Sequence, residues 1–541
     1  MASSGNFATM NPLHKTSNSV GYSQGNLKTS PSSNWSSTTW CFSNIVIPKD
    51  KKIYVEARLS AGAGVYASLA AATNLSTPGT SEVGGDGSVS LYNESKYVNG
   101  TRSASWITAA SAGDILQLAI DGSNNKVWLG YNNTWGGSGN PSAGSNEAGT
   151  INTSTALGYD IFIACTQNSV STMTFNFGQD STFGGEVSAG GNADANGFGD
   201  FKYAPPTGFL SLASSNLPIS DDIDPAQENQ PSKHFDVVTY TGNGGTQSIT
   251  SLGFQPDWTL IKNRASGDWC NQNSSLGVGK SQKWNDSSGV SSDTDAVTSF
   301  NSDGFSLGAD SKVNTSSANY VAYCWKKSAE AGLDIVTYSG GGGSQAVSHS
   351  LGVTPDCIFI MLNTGTALDS IMYLNSASMG TSYGIFPTSA NARQNTTYVS
   401  ATTSSNFTVT GSADTSGRTY FAYVLKSIEG FSKFGEYLAN ANTDGPFTYL
   451  GFRPRLVIIK ALESGQTWFF FDTARSTHNV IDLYLYGQRD LPESTAGTID
   501  IDFLSNGFKI RSSGVDLNSS SGQAYAYLAW ADVPFKYNNT F

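Results

Sequence analysis

Residues capable of metal, acid–base or nucleophilic chemistry are few in this chain and thinly spread. Asn192-x-Asp194-x-Asn196-Gly197 has the alternating oxygen donors and glycine of a calcium loop, but Tyr203 stands where a bidentate glutamate should close it. A glycine-rich turn is expected there. Asp221, Asp222 and Asp224 lack that alternation and read as part of a solvated linker. The four histidines, His14, His234, His349 and His478, lie far apart in polar sequence, form no H-E-x-x-H pair, and are expected as solvated side chains. No G-x-S-x-G elbow occurs, and the run Gly340 to Gly343 lacks the Lys-Ser/Thr of a phosphate-binding loop. A carboxylate pair of glycosidase type leaves no mark in a sequence. The residue pattern predicts a protein that is not an enzyme and has no metal or cofactor.

Aromatic rings are the remaining chemistry, since flat faces with a polar edge stack on sugars and also fill β-sandwich cores. Trp128, Trp258, Trp325 and Trp530 lie in apolar strand contexts and are expected to be buried. Trp269, in Gly267-Asp268-Trp269, and Trp284, in Lys283-Trp284-Asn285-Asp286, are flanked by polar groups and are the candidate binding residues. Trp468, similarly placed further along, opens the apolar run Phe469-Phe470-Phe471 and argues for a structural role at Trp269.

These residues sit within a threefold internal repeat. Pro256, Pro355 and Pro454 recur every 99 residues, and Phe305, Phe407 and Phe508 follow at 102 and 101. Each copy reads in the same order. An opening strand (Asp236 to Tyr240; Asp334 to Tyr338) runs into a glycine-dense turn, read as a tight hairpin. A Leu-Gly-x-x-Pro corner then precedes an apolar strand, where proline fixes φ without breaking the ladder. A closing strand mixes small and aromatic residues, as in Tyr320-Val321-Ala322-Tyr323-Cys324-Trp325. A period of this length is that of a whole small domain with its own core, longer than solenoid or propeller units.

Composition agrees with an all-β class. Only 13% of the 541 residues are charged, 12% are aromatic and 58 are glycine, with apolar runs too short for long helices. The net charge is −12 without any Lys/Arg run, which argues against nucleic acid as a partner. Five scattered cysteines, Cys41, Cys165, Cys270, Cys324 and Cys357, argue against a disulfide framework, and most of them read as buried thiols. No apolar run reaches 18 residues and no secretion signal opens the sequence, so a soluble chain without membrane insertion is expected.

The region before the repeats reads differently. Gly113 to Trp135 scans as two strands about a turn at Asp121 to Asn125, and a further strand pair is expected at Ile161 to Cys165 and Thr172 to Gly178. Gly113-Asp114, Asp121, Lys126-Val127-Trp128 and Phe175-Asn176-Phe177-Gly178 resemble the phrases of SPRY domains, bent β-sandwiches of lectin-like architecture. Asn132-Asn133 stands where Asn-Gly is usual. The resemblance implies a binding module that recognises partners through its loops. A head of this kind joined to modules opening Phe235-Asp236-Val237-Val238-Thr239-Tyr240 and closing Tyr320-Val321-Ala322-Tyr323-Cys324-Trp325-Lys326 is similar to virion structural proteins of tailed bacteriophages.

The expectation is therefore an all-β, multi-domain chain: a SPRY-like β-sandwich over 1–218, a linker over 219–233, and three tandem β-sandwich modules over 234–330, 331–428 and 429–541. The phage resemblance implies a tail fibre or receptor-binding appendage on the virion, with a capsid decoration or head-fibre protein and a cell-surface glycan hydrolase as alternatives. Partners on that reading are a host cell-surface glycan or protein, other virion proteins, and further copies of the chain as a homo-oligomer, a trimer on the fibre analogy.

Overall fold

In a computed structural model, the chain is described over residues 6–15, 20–31, 40–61, 67–73, 87–152, 160–167, 171–218, 223–227, 229–495 and 499–537. Strand makes up 46% of it and helix 5%. It divides into two compact units, Met1–Pro218 and Ile219–Phe541.

The first unit is a sandwich of two antiparallel sheets. One contains Trp40–Val46, Ile161–Gln167, Ala67–Thr73 and Ser88–Tyr92 as neighbours; the other contains Lys126–Tyr131, Ile115–Asp121, Lys52–Ala61 and Thr172–Asn176. The expected hairpin is present, with Asp121 opposite Lys126 and Asn125 at φ 53°. Asn132 and Asn133, at φ 45° and 64°, take the two left-handed positions that Asn-Gly usually supplies, so asparagine suffices for this turn. The second expected pair is corrected: Ile161–Gln167 and Thr172–Asn176 lie in different sheets. Residues 177–217 cover the outer face of the second sheet, where Phe201 and Phe209 pack on Tyr54, Ala119 and Trp128. The strand Ile115–Asp121 is accordingly buried at every position.

The second unit contains the repeat, and each copy builds the same two sheets. In the first, the large sheet runs Phe235–Thr241, Asn319–Trp325, Trp258–Asn263, Cys270–Asn273, and the small one Gln247–Ile249, Gly304–Leu307, Val297–Asn301. The second copy orders Leu333–Ser339, Thr419–Leu425, Cys357–Thr364, Ile371–Leu374 in the same way, and the third Ser432–Leu438, Ala524–Pro534, Phe452–Ala461, Trp468–Asp472. The glycine-dense turns are not hairpins: the opening strand pairs with the closing strand, and the turn carries the chain from the large sheet to the small one. Backbone contact requires glycine there. A Cβ on Gly242 or Gly340 would run into the carbonyl oxygen of Thr315 or Thr415, and Gly244 and Gly342 have φ of 73° and 84°.

One face of each large sheet packs on its own small sheet. In the first copy this gathers Val238, Ile261, Phe305, Tyr320, Ala322 and Cys324. The opposite face does not meet solvent. Leu260, Tyr323 and Trp325 of the first copy, Phe359, Tyr423 and Leu425 of the second, and Ile458, Leu528 and Trp530 of the third belong to one continuous core. Trp258 stacks at 3.9 Å on both Trp325 and Tyr423, and Trp325 meets Trp530 at 5.4 Å, so one aromatic hub joins all three copies. The expectation of three separately cored domains is thereby corrected. A large sheet apolar on both faces must be covered twice, and the neighbouring copies supply the second cover.

The copies close into a ring. Val290 N–H donates to Asn363 O (2.9 Å), Arg393 N–H to Leu462 O (2.8 Å), and Glu493 N–H to Arg264 O (2.9 Å), linking first to second, second to third and third to first. The acceptors Arg264, Asn363 and Leu462 are again 99 residues apart.

The described part of the expected linker is packed as well. Ile223 joins the shared core, Pro231 is buried, and Asp224 is a turn-former accepting from Ala226 N–H at 2.8 Å. Asp221 and Asp222 lie outside the described residues.

Candidate binding surface

The ring presents its glycine-dense turns at equivalent positions, and each is held from beneath by one buried side chain. Asn314 donates to Gly245 O (2.6 Å) and accepts from Asn243 N–H (2.8 Å). Asp414 accepts from Gly341 N–H (2.6 Å) and Gly343 N–H (2.9 Å). Asn518 donates to Asn442 O (2.7 Å) and accepts from Asn440 N–H (2.7 Å). The three plugs are at most 1% exposed, whereas Asn243, Gly244, Gly341 to Gly343 and Asn440 to Thr443 are exposed. Three fixed loops of different sequence thus project from one rigid body, offering small polar groups and backbone amides to a partner.

The candidate tryptophans are not on that surface. Trp269 is 0% and Trp284 2% exposed. Trp269 packs on Phe470 (4.8 Å) and donates its indole N–H to Tyr486 O (2.9 Å) of the third copy; Trp284 packs on Phe359 (5.2 Å) of the second. The neighbours that made them look exposed are themselves the more accessible residues: Gly267 and Lys283 are exposed, and Asp268, Asn285 and Asp286 are half-buried. Trp468 repeats the pattern, donating to Phe386 O at 3.0 Å. Of the histidines, His14, His234 and His349 are buried, against expectation, and His478 is exposed. Burial, then Lys326 and Lys233, pulls His234 down to about 4. Half-buried Trp106 is no open platform either: Gly136 and Gly137 lie against its ring, and Lys96 Nζ stands 5.2 Å over it.

Several buried charges, which sequence reading did not single out, serve architecture. Glu56 accepts from Lys202 N–H and Tyr203 N–H (both 2.8 Å), Tyr54 O–H (3.0 Å) and Asn176 Nδ2 (3.1 Å), pinning the covering segment to the sheet. Burial raises its pKa against those hydrogen bonds. The Asp194 carboxylate, which the calcium-like spacing centred on, is filled by Asn196, Phe198 and Ser211 N–H, Ser211 O–H and Asn216 Nδ2 at 2.7–2.9 Å. It is a turn hub, as expected.

At the seam closing the ring, Arg475 is fully buried between Asp472 (2.7 Å) and Glu493 (3.4 Å), Tyr323 O–H donates to Asp472 (2.8 Å), and Arg264 meets Glu493 (2.8 Å). Burial alone would lower the arginine pKa; Asp472 and then Tyr323 more than reverse this. Lys262 and Lys460 occupy the same position of the first and third copies, Met361 that of the second, and all three are buried. Burial pulls Lys262 down to about 8, with Asp490 and Asp268 opposing, and pulls Lys460 down to about 7.

A family model described as Domain of unknown function (DUF7483) matches residues 230–534, the whole ring from first opening strand to last closing strand. The chain belongs to this family. Among solved structures, it is similar to a human SPRY domain (10% identity over 29% of this chain and 94% of that one, TM-score 0.23). It is similar also to the SPRY domain of human HERC1 (9%, 31% and 96%, TM-score 0.24) and to carbohydrate binding module CBM66 from Bacillus subtilis (12%, 32% and 92%, TM-score 0.20). No curated protein matches the chain.

Proposed function

We propose that the chain is a non-catalytic binding protein of a tailed-phage particle, a fibre or receptor-binding appendage that engages a host surface glycan or protein non-covalently. The observation that carries this reading is the set of exposed loops, equivalently placed and individually plugged, on one closed ring. The SPRY-like phrases of the first unit and the phage-like phrases of the repeat support it from sequence, and the buried charges of both units are committed to holding loops and seams. Linked weak contacts raise avidity by ~10²–10⁴ when they act together. Assembly into the trimer that a fibre implies has to use surfaces other than the repeat seams, which the chain fills itself.

The test uses the purified full chain on cells of the strain that supports the particle. Saturable binding is expected, weakened at least about fivefold by Gly245→Arg with Gly343→Arg: a Cβ at Gly343 meets open space and one at Gly245 only the Asn243 Oδ1 at an ordinary 3.8 Å. Unchanged melting of that variant would assign the loss to the loops. Binding indifferent to these loops, or release of reducing sugar from host polysaccharide, would overturn the reading. Labelling of intact particles separates a tail appendage from a capsid decoration.

A further inference from the structure

We propose that Cys41 and Cys165 are a redox pair that closes into a cross-strand disulfide inside the first unit. The two residues face each other across the antiparallel strands Trp40–Val46 and Ile161–Gln167. Directly opposed residues have Cα atoms about 4.5–5.5 Å apart and side chains on the same face, within the span a disulfide accepts. Thr29 Oγ1 lies 3.9 Å from the Cys165 sulfur. Cys41 and Cys165 are 2% and 0% exposed. The remaining cysteines have no such partner across a strand: Cys270 faces Ile261, Cys324 faces Thr259 and Asp236, and Cys357 faces Leu374 and Leu425.

Each thiol is the main influence on the other's titration, pulling Cys41 down and pushing Cys165 up, as expected of two sulfurs held side by side. The oxidant is a small-molecule disulfide such as oxidised glutathione. One of the two cysteines loses its proton and attacks a sulfur of the oxidant, forming a mixed disulfide and expelling one glutathione thiolate; the other loses its proton and attacks the protein sulfur of that mixed disulfide, displacing the second. Two protein thiols lose two electrons and two protons, and one disulfide becomes two thiols.

The intact chain is incubated with excess oxidised glutathione, its free thiols are trapped with a maleimide in denaturant, and the digest is read by mass spectrometry. The expected result is a linked peptide pair containing Cys41 and Cys165, restored to free thiols by dithiothreitol, while Cys270, Cys324 and Cys357 stay maleimide-labelled. The oxidised protein should melt roughly 5 °C or more higher in its first transition. Cys41→Ser should abolish both changes. Slow access to buried thiols is removed by a second arm, in which oxidation accompanies refolding from urea. Recovery of Cys41 and Cys165 both maleimide-labelled, or each carrying glutathione, in that arm would overturn the proposal.

Discussion

The seam between the first two copies and the seam that closes the third onto the first occupy equivalent places but use different chemistry. At the former, Tyr423 O–H donates to Asn271 (2.8 Å) and accepts from Asn273 Nδ2 (3.1 Å). At the latter, Tyr323 at the matching position donates to Asp472, itself paired with buried Arg475. The intervening seam places Leu374 and Leu528 there, both buried in the shared core. One backbone geometry therefore accepts amide, ion pair or hydrocarbon, provided each seam is complete within itself. Charged seams are costly to break and amide seams moderately so, whereas hydrocarbon offers nothing to orphan.

The largest expected effect is at the closing seam. Arg475→Met leaves Asp472 buried without its counter-charge and should destabilise the second unit by about 3–5 kcal/mol in urea unfolding. Next comes Lys460. Its folded pKa lies below the unfolded value of 10.5, so the unfolded chain binds the proton more readily, and stability rises with pH between about 7 and 10.5. Lys460→Met, which copies Met361, should flatten that slope and gain about 1–2 kcal/mol near pH 6. A steep slope persisting in the variant would assign it elsewhere.

At the amide seam, Tyr423→Phe should cost about 1–2 kcal/mol by stranding Asn273. Adding Asn273→Leu should recover part of that loss, a coupling readable in a double-mutant cycle, because the pair then resembles its hydrocarbon counterpart. Additive losses would mean that the seams are not interchangeable. Smallest is the partly exposed pair Arg393–Glu463 at 3.3 Å, where Glu463→Gln should change stability by less than about 0.5 kcal/mol.

The succession of strands along a copy was legible because it is written locally, in Pro256, Pro355 and Pro454, but the glycines beside the opening strands were read as hairpins where they mark a change of sheet. The plug residues Asn314, Asp414 and Asn518 were not legible, since an amide and a carboxylate do the same work and neither carries a spacing signal. Periodicity shows that a strand such as Leu456-Val457-Ile458-Ile459 is buried on both faces but not what covers it, so the core that the three copies share was not read beside the cores they keep to themselves. Trp269 and Trp284 misled for a related reason: polar neighbours in sequence do not exclude a hydrophobic neighbour in space. In the first unit, Asn132-Asn133 and the phrase around Trp128 marked a hairpin, but nothing in Phe201 or Phe209 announced that they would roof it.

Closure of the ring bears on how such a protein is inherited. Deleting any one copy would strip cover from two others and bare an aromatic hub built by all three, and a fourth copy would find no free edge. The unit should be gained or lost as a trio, and each member, freed from matching its siblings, can drift at its outward tip while its inward face stays answerable to two neighbours.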